Sequence, residues 1–544
     1  MGRRVWFHPR VPLDREQIDL KNMWKTGVLL AGVLGMGLCL SAPPAAAQNV
    51  YDVQGAETPA EQVEVLYGDD AIRAMGGDPA AKRSGTTAET SAGDFAARGK
   101  ETASASAAPA DGKGKAASRT GKAAKTSQVS KAESGALAAA QAAFHASRVR
   151  LVWPVVPRAV RYELVLLRGA EDVAANVVSR QDYIYTNGVE LDLTPFGAQA
   201  GRLYFAVHPL DHDGHAVAGS TQPQLVALGT PDPTAPLPTT QFEQMDYAPL
   251  YPVFSWIPTL GAKHHAIEIY RERGGEKKLI RTLQGGEYDV YEEGGYTVPG
   301  RYDWRVRAVD EAGQPLSDWS DFSSFDVTAP TPIAALGDSI THGGGAMTVP
   351  PGYLIYDWET YSSVPVKNLG YSGDTTAALL DRFERDVLPF SPRVLVIMGG
   401  VNDYRGSTYG SETVAHLEAL RAKCDMYGII PVFATVTPIN PELILRYGQI
   451  EAPPVDWKIH RDYINHWIME QPYAVDVASA LEDGRGWLDA RYTTDGLHPD
   501  GFGKYEIGAR IGSYLAAHFA WVTDGLVKKP VPPALQQIAS ASLP

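Results

Sequence analysis

The stretch Ile333-Ala334-Ala335-Leu336-Gly337-Asp338-Ser339-Ile340-Thr341-His342-Gly343-Gly344-Gly345 decides how the second half of this chain folds. Its apolar opening reads as a strand buried on both faces, and the run of turn-formers after Leu336 reads as an abrupt end. A parallel α/β sheet presents its functional side chains at the carboxyl ends of its strands. Ser339 stands at such an end and can be an exposed nucleophile there. Gly-Asp-Ser alone is also an ordinary turn tripeptide, so the reading depends on whether the chain supplies partners.

Strand and helix patterns alternate downstream. Apolar runs at 366–369, 394–398, 432–436 and 474–477 predict further strands. Helical spacing marks 376–388, 412–426 and 457–469, Ser411 is placed to cap the second of these, and a last helix is expected over about 503–522. The alternation predicts a parallel sheet covered on both faces, with the chemistry on the loops that follow the strands. Those loops carry Ser339, then Asn368-Leu369-Gly370-Tyr371-Ser372-Gly373-Asp374-Thr375, then Gly399-Gly400-Val401-Asn402-Asp403. Asp495-Gly496-Leu497-His498-Pro499 precedes the last helix.

These residue types suit acyl transfer. A serine hydroxyl needs a base to take its proton, and histidine suits that task near neutral pH. The base needs a carboxylate to hold its tautomer, which Asp495 can supply three residues before His498. A tetrahedral intermediate needs preorganised donors, which a glycine N–H and an asparagine amide provide. His342 is nearer to Ser339 in sequence but has no acid at that spacing, so it reads as a pocket residue.

The four blocks Gly-Asp-Ser, Gly within a Gly-Asp-Thr turn, Gly-Val-Asn-Asp and Asp-x-x-His, in this order, resemble the SGNH (GDSL) hydrolase family. The resemblance covers about 332–522. It implies a three-layer, flavodoxin-like α/β domain over 331–525 that works without metal or organic cofactor. By position it makes Ser339 the nucleophile, His498 the general base and Asp495 its orienting partner. Ser339 and Gly373 (backbone N–H) and Asn402 (side-chain amide) would form the oxyanion hole. His342, Tyr371, Asp374 and Tyr404 are candidate substrate contacts, with tying the loops together by hydrogen bonds the alternative for Asp374 and packing the alternative for Tyr371 and Tyr404.

Upstream, 149–230 and 240–328 look like two copies of one β-rich unit. Trp153 with Tyr162, Leu164 and Leu166 recurs as Trp256 with His265, Ile267 and Ile269. Phe205, Val207, Leu210, Asp211 and Gly214 recur as Trp304, Val306, Val309, Asp310 and Gly313. Period-two alternation with turns between predicts antiparallel sandwiches, and the pattern resembles fibronectin type III modules. Pro-rich 231–238 reads as a stiff spacer, and the modules themselves read as spacers ahead of the catalytic domain.

The amino end carries Lys25, an apolar run over 28–40 and Ala45-Ala46-Ala47, which predicts an export signal over 1–47, with Met23 an alternative start. Within 48–148 a short N-terminal segment precedes a stretch over about 74–134 that is largely Ala, Gly, Ser, Thr and Lys, a composition that predicts a disordered linker, and 526–544 reads as a tail. The net charge of -14 argues against a nucleic-acid binder, and two cysteines cannot build a disulfide framework. Cys424, the lone thiol of the exported chain, reads as a buried small hydrophobe. The expected function is an exported serine esterase of the extracellular space, periplasm or envelope, acting on an acylated glycan. The alternatives are a lipid acyl hydrolase of the lysophospholipase or thioesterase kind and a non-catalytic envelope-binding protein. Envelope association through the upstream modules is an expectation, and the oligomeric state is left open.

Overall fold

The computed structural model describes residues 148–227, 233–447 and 451–540, and a short antiparallel pairing of Gly2–Arg4 with Asp52–Gln54. Apart from those two strands, the export signal and the low-complexity linker lie outside the described residues.

The first unit comprises β1 (Arg148–Val152), β2 (Arg161–Leu167), β3 (Val177–Ile184), β4 (Gly188–Asp192), β5 (Tyr204–Leu210) and β6 (Gln224–Leu225). β1 pairs with β4, and the other four form an antiparallel sheet in the order β3-β2-β5-β6. The second unit comprises β7 (Leu237–Pro238), β8 (Val253–Ile257), β9 (His264–Arg273), β10 (Glu276–Gly285), β11 (Asp289–Tyr291), β12 (Gly300–Val309) and β13 (Ser323–Val327). Its sheets run β11-β8-β7 and β10-β9-β12-β13. The cross-strand pairs Leu164 with Val207 and Leu166 with Phe205 recur as Ile267 with Val306 and Ile269 with Trp304. All eight side chains are buried, so the sequence alternation is that of one inward face in each unit. Leu237–Pro238, read above as spacer, is instead an edge strand paired with Trp256 and Ile257. Proline, with no N–H to donate, is confined to such edges.

The α/β half comprises β14 (Ile333–Gly337), α1 (Ser339–His342), β15 (Lys367–Gly370), α2 (Thr376–Asp381), α3 (Phe383–Val387), β16 (Val394–Met398), α4 (Val401–Arg405), α5 (Gly410–Tyr427), β17 (Ile430–Ala434), α6 (Pro441–Tyr447), α7 (Trp457–Met469), β18 (Ala474–Val475), α8 (Gly501–His518), α9 (Ala520–Thr523) and α10 (Pro533–Ser540). The sheet order is β15-β14-β16-β17-β18, parallel throughout. From β14 the chain steps first to one side and then to the other. The crevice beyond the carboxyl ends of β14 and β16 is therefore the switch point where such sheets bind ligands.

Three local readings change. The helix expected over 376–388 breaks at Arg382, whose φ of -96° and ψ of 3° lie off the helix. α5 begins with Tyr409 at its N-cap, so Ser411 is not the cap. α8 begins at Gly501, capped by Asp500 Oδ1, which accepts from the N–H of Phe502 at 3.0 Å.

The upstream units are joined to the α/β half. The second unit shares one apolar core with it, in which Tyr251 and Phe254 lie with Trp358 and Leu336. Leu250 N–H donates to Asn368 O at 2.9 Å, and buried Lys367 Nζ donates to Ala248 O. The first unit keeps its own core but bonds across, with Tyr356 Oη donating to Val156 O at 3.0 Å. The tail returns over this seam: Lys528 Nζ meets Asp246 Oδ2 at 2.6 Å, and Ile538 of α10 packs with Tyr353, Ile355 and Tyr356. No helix among the described residues is long and apolar enough to cross a membrane. Cys424 is buried, and burial pushes its thiol up to about 12.

Candidate active site

β14 ends at Gly337, and Asp338 caps α1 by accepting from Ile340 N–H at 2.9 Å. Ser339 is thus the first residue of a one-turn helix at the end of a central strand. Its Oγ lies 3.1 Å from His498 Nε2, and His498 Nδ1 lies 2.8 Å from Asp495 Oδ2. The other carboxylate oxygen, Asp495 Oδ1, accepts from the N–H groups of Leu497 and His498 at 2.8 Å each. Burial raises the Asp495 carboxyl, but the neighbouring His498 imidazole and these donors outweigh it and hold the group below the usual carboxylate range. An ionised carboxylate can only accept, so Nδ1 carries the proton and the Nε2 lone pair faces the serine hydroxyl. The loop needs Gly496: its φ is +85°, and a Cβ there would stand 2.5 Å from Asn440 O.

The candidate donors come from the two neighbouring strand ends. Gly373, with φ +86°, sits in a turn closed by Asp374 N–H donating to Tyr371 O at 3.3 Å. Asn402, in the first turn of α4, donates from Nδ2 to Asp374 O at 2.9 Å, and an amide has a second N–H beyond that bond. Ser339, at the first position of α1, has an N–H without an intrahelical acceptor by position.

What pins this turn is Arg382, which the sequence reading passed over. Its Nε donates to Asp374 Oδ2 at 2.5 Å, Nη1 to Asp386 Oδ2 at 3.0 Å and Leu369 O at 2.8 Å, and Nη2 to Gly337 O at 2.9 Å. One buried guanidinium therefore ties the ends of β14 and β15 to the Gly373 turn, and the helix breaks to let it in. An arginine with an acid four residues on, Asp386, inside the expected helix was the available signal. Arg382→Met takes the buried guanidinium away from the Asp374 and Asp386 carboxylates, and is expected to lower unfolding free energy by about 3–5 kcal/mol. Urea unfolding checks this, and a loss under 1 kcal/mol contradicts it.

Residues 335–504 match the GDSL-like lipase/acylhydrolase family. The chain carries a GDSL-like lipase/acylhydrolase domain. It is an ester hydrolase. Its parallel sheet with helices is consistent with the α/β fold of that family. Among solved structures, a lipase/acylhydrolase from Enterococcus faecalis is 24% identical, covering 34% of this chain and 95% of that one at TM-score 0.29. A GDSL-like lipase from Bacteroides thetaiotaomicron is 21% identical, covering 34% and 87% at TM-score 0.27. A catalytic mutant of an acetylxylan esterase from Geobacillus stearothermophilus is 18% identical, covering 35% and 95% at TM-score 0.26. No curated protein matches the chain.

Within the GDSL-like domain, three of the four candidate substrate contacts are engaged elsewhere. His342 is buried, with Nε2 2.6 Å from Tyr251 O and Nδ1 2.8 Å from Ser372 Oγ. A carbonyl only accepts, so Nε2 carries the proton and Nδ1 accepts from the Ser372 hydroxyl. Burial lowers its pKa to about 4, so the ring is a neutral tie between the second unit and the site loops. Asp374 is fully buried on Arg382. Tyr404 is fully buried, donating to Thr437 O at 2.7 Å and stacked on Trp457. Tyr371 alone of the four keeps partial exposure, edge-on to Tyr251. Proximity in sequence to a motif does not say which way a side chain points, and these acids and rings point inward.

For metal binding, the described residues bring one group of three together, Asp211, Asp213 and His215, with ligand atoms within 4.8 Å of one another. It lies on the first unit, where Asp213 and His215 are exposed.

Proposed function

We propose that the protein is an exported serine esterase that removes small acyl groups, acetyl in particular, from a hydroxyl-rich carbohydrate through an acyl-enzyme. The observation that carries the reading is the unbroken relay Ser339 Oγ–His498 Nε2 at 3.1 Å and His498 Nδ1–Asp495 Oδ2 at 2.8 Å. Ser339 Oγ attacks the ester carbonyl while His498 Nε2 takes its proton. The oxyanion is met by the N–H groups of Ser339 and Gly373 and the Asn402 amide. His498 then gives the proton to the departing alcohol. Water attacks the acyl-serine with His498 again as base, releasing the acid and restoring Ser339.

The acyl preference follows from access. Ser339 and His498 are each about 5% exposed. A nucleophile so deeply set accepts an acetyl group more readily than a long chain, which needs an apolar groove to lie in. The signal over 1–47 supports export, and the upstream units, fibronectin-like in their pattern, fit contact with an extracellular or envelope glycan. A p-nitrophenyl ester series tests the preference. The acetate is expected to be hydrolysed with kcat/KM at least tenfold above the octanoate, and a rise with chain length contradicts the reading.

A further inference from the structure

α1 is too short to satisfy its own backbone. A helix of four residues leaves most of its carbonyls without an intrahelical donor, and the nucleophile stands on its first residue. Ser339 O accepts from Gly343 N–H at 3.1 Å. Thr341 O accepts from Asn368 Nδ2 at 2.5 Å, which ties the turn to β15. Ile340 O accepts from Lys504 Nζ at 2.5 Å, and this third tie runs to the helix that follows the catalytic histidine.

Lys504 lies in the first turn of α8, just beyond His498, and is fully buried. Burial pulls its pKa down to about 8, against the upward pull of the Asp357, Glu359 and Asp338 carboxyls. Taking an ammonium out of water is costly, so a lysine at this depth needs a defined partner, and here that partner is the backbone beside the nucleophile.

α8 is itself a fixed support. A Cβ at Gly508 would run into Trp358 O and one at Gly512 into Ser363 N, so the helix lies backbone-close against the 358–363 segment. Its cap is gripped from outside, where Arg158 of the first unit donates to Ala490 O at 3.0 Å and pairs with Asp500 Oδ2 at 3.2 Å. Lys504 therefore carries the position of α8 to α1, and with it the position of His498 to Ser339.

We propose that Lys504 is a positioning residue for ester hydrolysis. By holding Ile340 O it fixes α1 against α8 and keeps Ser339 Oγ at 3.1 Å from His498 Nε2. This rests on the Ser339, His498 and Asp495 relay proposed above and is independent of which alcohol the substrate carries. A misplacement of about 1 Å between reacting groups costs on the order of 100-fold in rate.

Lys504→Met keeps a side chain of similar length and removes the donor. Turnover of p-nitrophenyl acetate is referred to the serines that a fluorophosphonate labels at completion, which discounts any unfolded fraction. On that scale kcat is expected to fall about 10- to 100-fold with KM within about threefold. The rate constant of labelling, which needs the same serine and base, should fall in step. Lys367→Met is the control for stability. Lys367 is as deeply buried, donates to the carbonyl of Ala248, and begins β15 at the end of the strand opposite Gly370. Its variant should lose stability yet keep turnover per labelled serine within about twofold. Lys504→Gln, whose amide donates from a shorter stem, should fall between wild type and Lys504→Met, and it carries the test if the methionine variant does not fold. Unchanged turnover and labelling per serine in the Lys504 variants, or an equal loss in Lys367→Met, overturns the inference and leaves the relay standing. Wild-type enzyme that hydrolyses the ester without labelling at Ser339 overturns the relay itself.

Discussion

Ser339→Ala is expected to lower kcat for p-nitrophenyl acetate by about a million-fold, the scale seen when the serine of a working triad is removed alone. His498 Nε2 faces the Ser339 hydroxyl at 3.1 Å, and alanine removes the oxygen whose proton it would take. The fold should not notice. Ser339 is the first residue of α1, whose cap is Asp338 Oδ1 bonded to Ile340 N–H, and alanine leaves that cap unchanged. The melting temperature should therefore stay within a few degrees of wild type. A variant that keeps even a hundredth of the activity would move the nucleophile elsewhere.

Asp495→Asn is expected to cost about 10⁴-fold in kcat with far less effect on the fold. The carboxylate does two jobs that asparagine separates. Oδ1 holds the loop through the N–H groups of Leu497 and His498, and an amide oxygen can take over that role. Oδ2 accepts the proton on His498 Nδ1. An amide nitrogen in its place donates, which forces Nδ1 to accept and puts the proton on Nε2, where it faces Ser339 and cannot serve as base. Because the folded carboxyl is held below its usual range, it stabilises the protein above the ordinary aspartate pKa. That contribution is lost as the pH falls through the lower folded value. Wild type should therefore lose more stability than Asp495→Asn on acidification through that window. Thermal melts at stepped pH, beside initial rates, check both halves, and a variant with near wild-type kcat contradicts the relay.

The α/β half was legible because its strands are buried on both faces. Residues 333–336 and 394–398 announce themselves as apolar runs, and the order of the motif blocks matches the order of the strand ends. The pair Asp495 and His498 was legible from spacing, since three residues on a tight loop bring ring and carboxylate together. Contacts made through backbone atoms left no such trace. The carbonyls of Tyr251 and Ala248 hold His342 and Lys367, and a carbonyl has no sequence signature. The upstream units accordingly read as spacers, although the second shares its core with the catalytic half and the first grips the 490–500 loop. Arg382 escaped for a related reason: a helical pattern over 376–388 hides the one residue that must leave the helix to reach Gly337 O. His342, Asp374 and Tyr404 were assigned to substrate by their place in the motifs, whereas burial against protein partners decides their role.

The central claim is a covalent acyl-enzyme on Ser339, and trapping the nucleophile tests it most directly. Purified protein treated with a fluorophosphonate should gain the mass of one adduct as esterase activity falls in step, with the modified peptide carrying Ser339 and no adduct on Ser339→Ala. An active enzyme that stays unmodified, or an adduct on a different residue, would contradict the account.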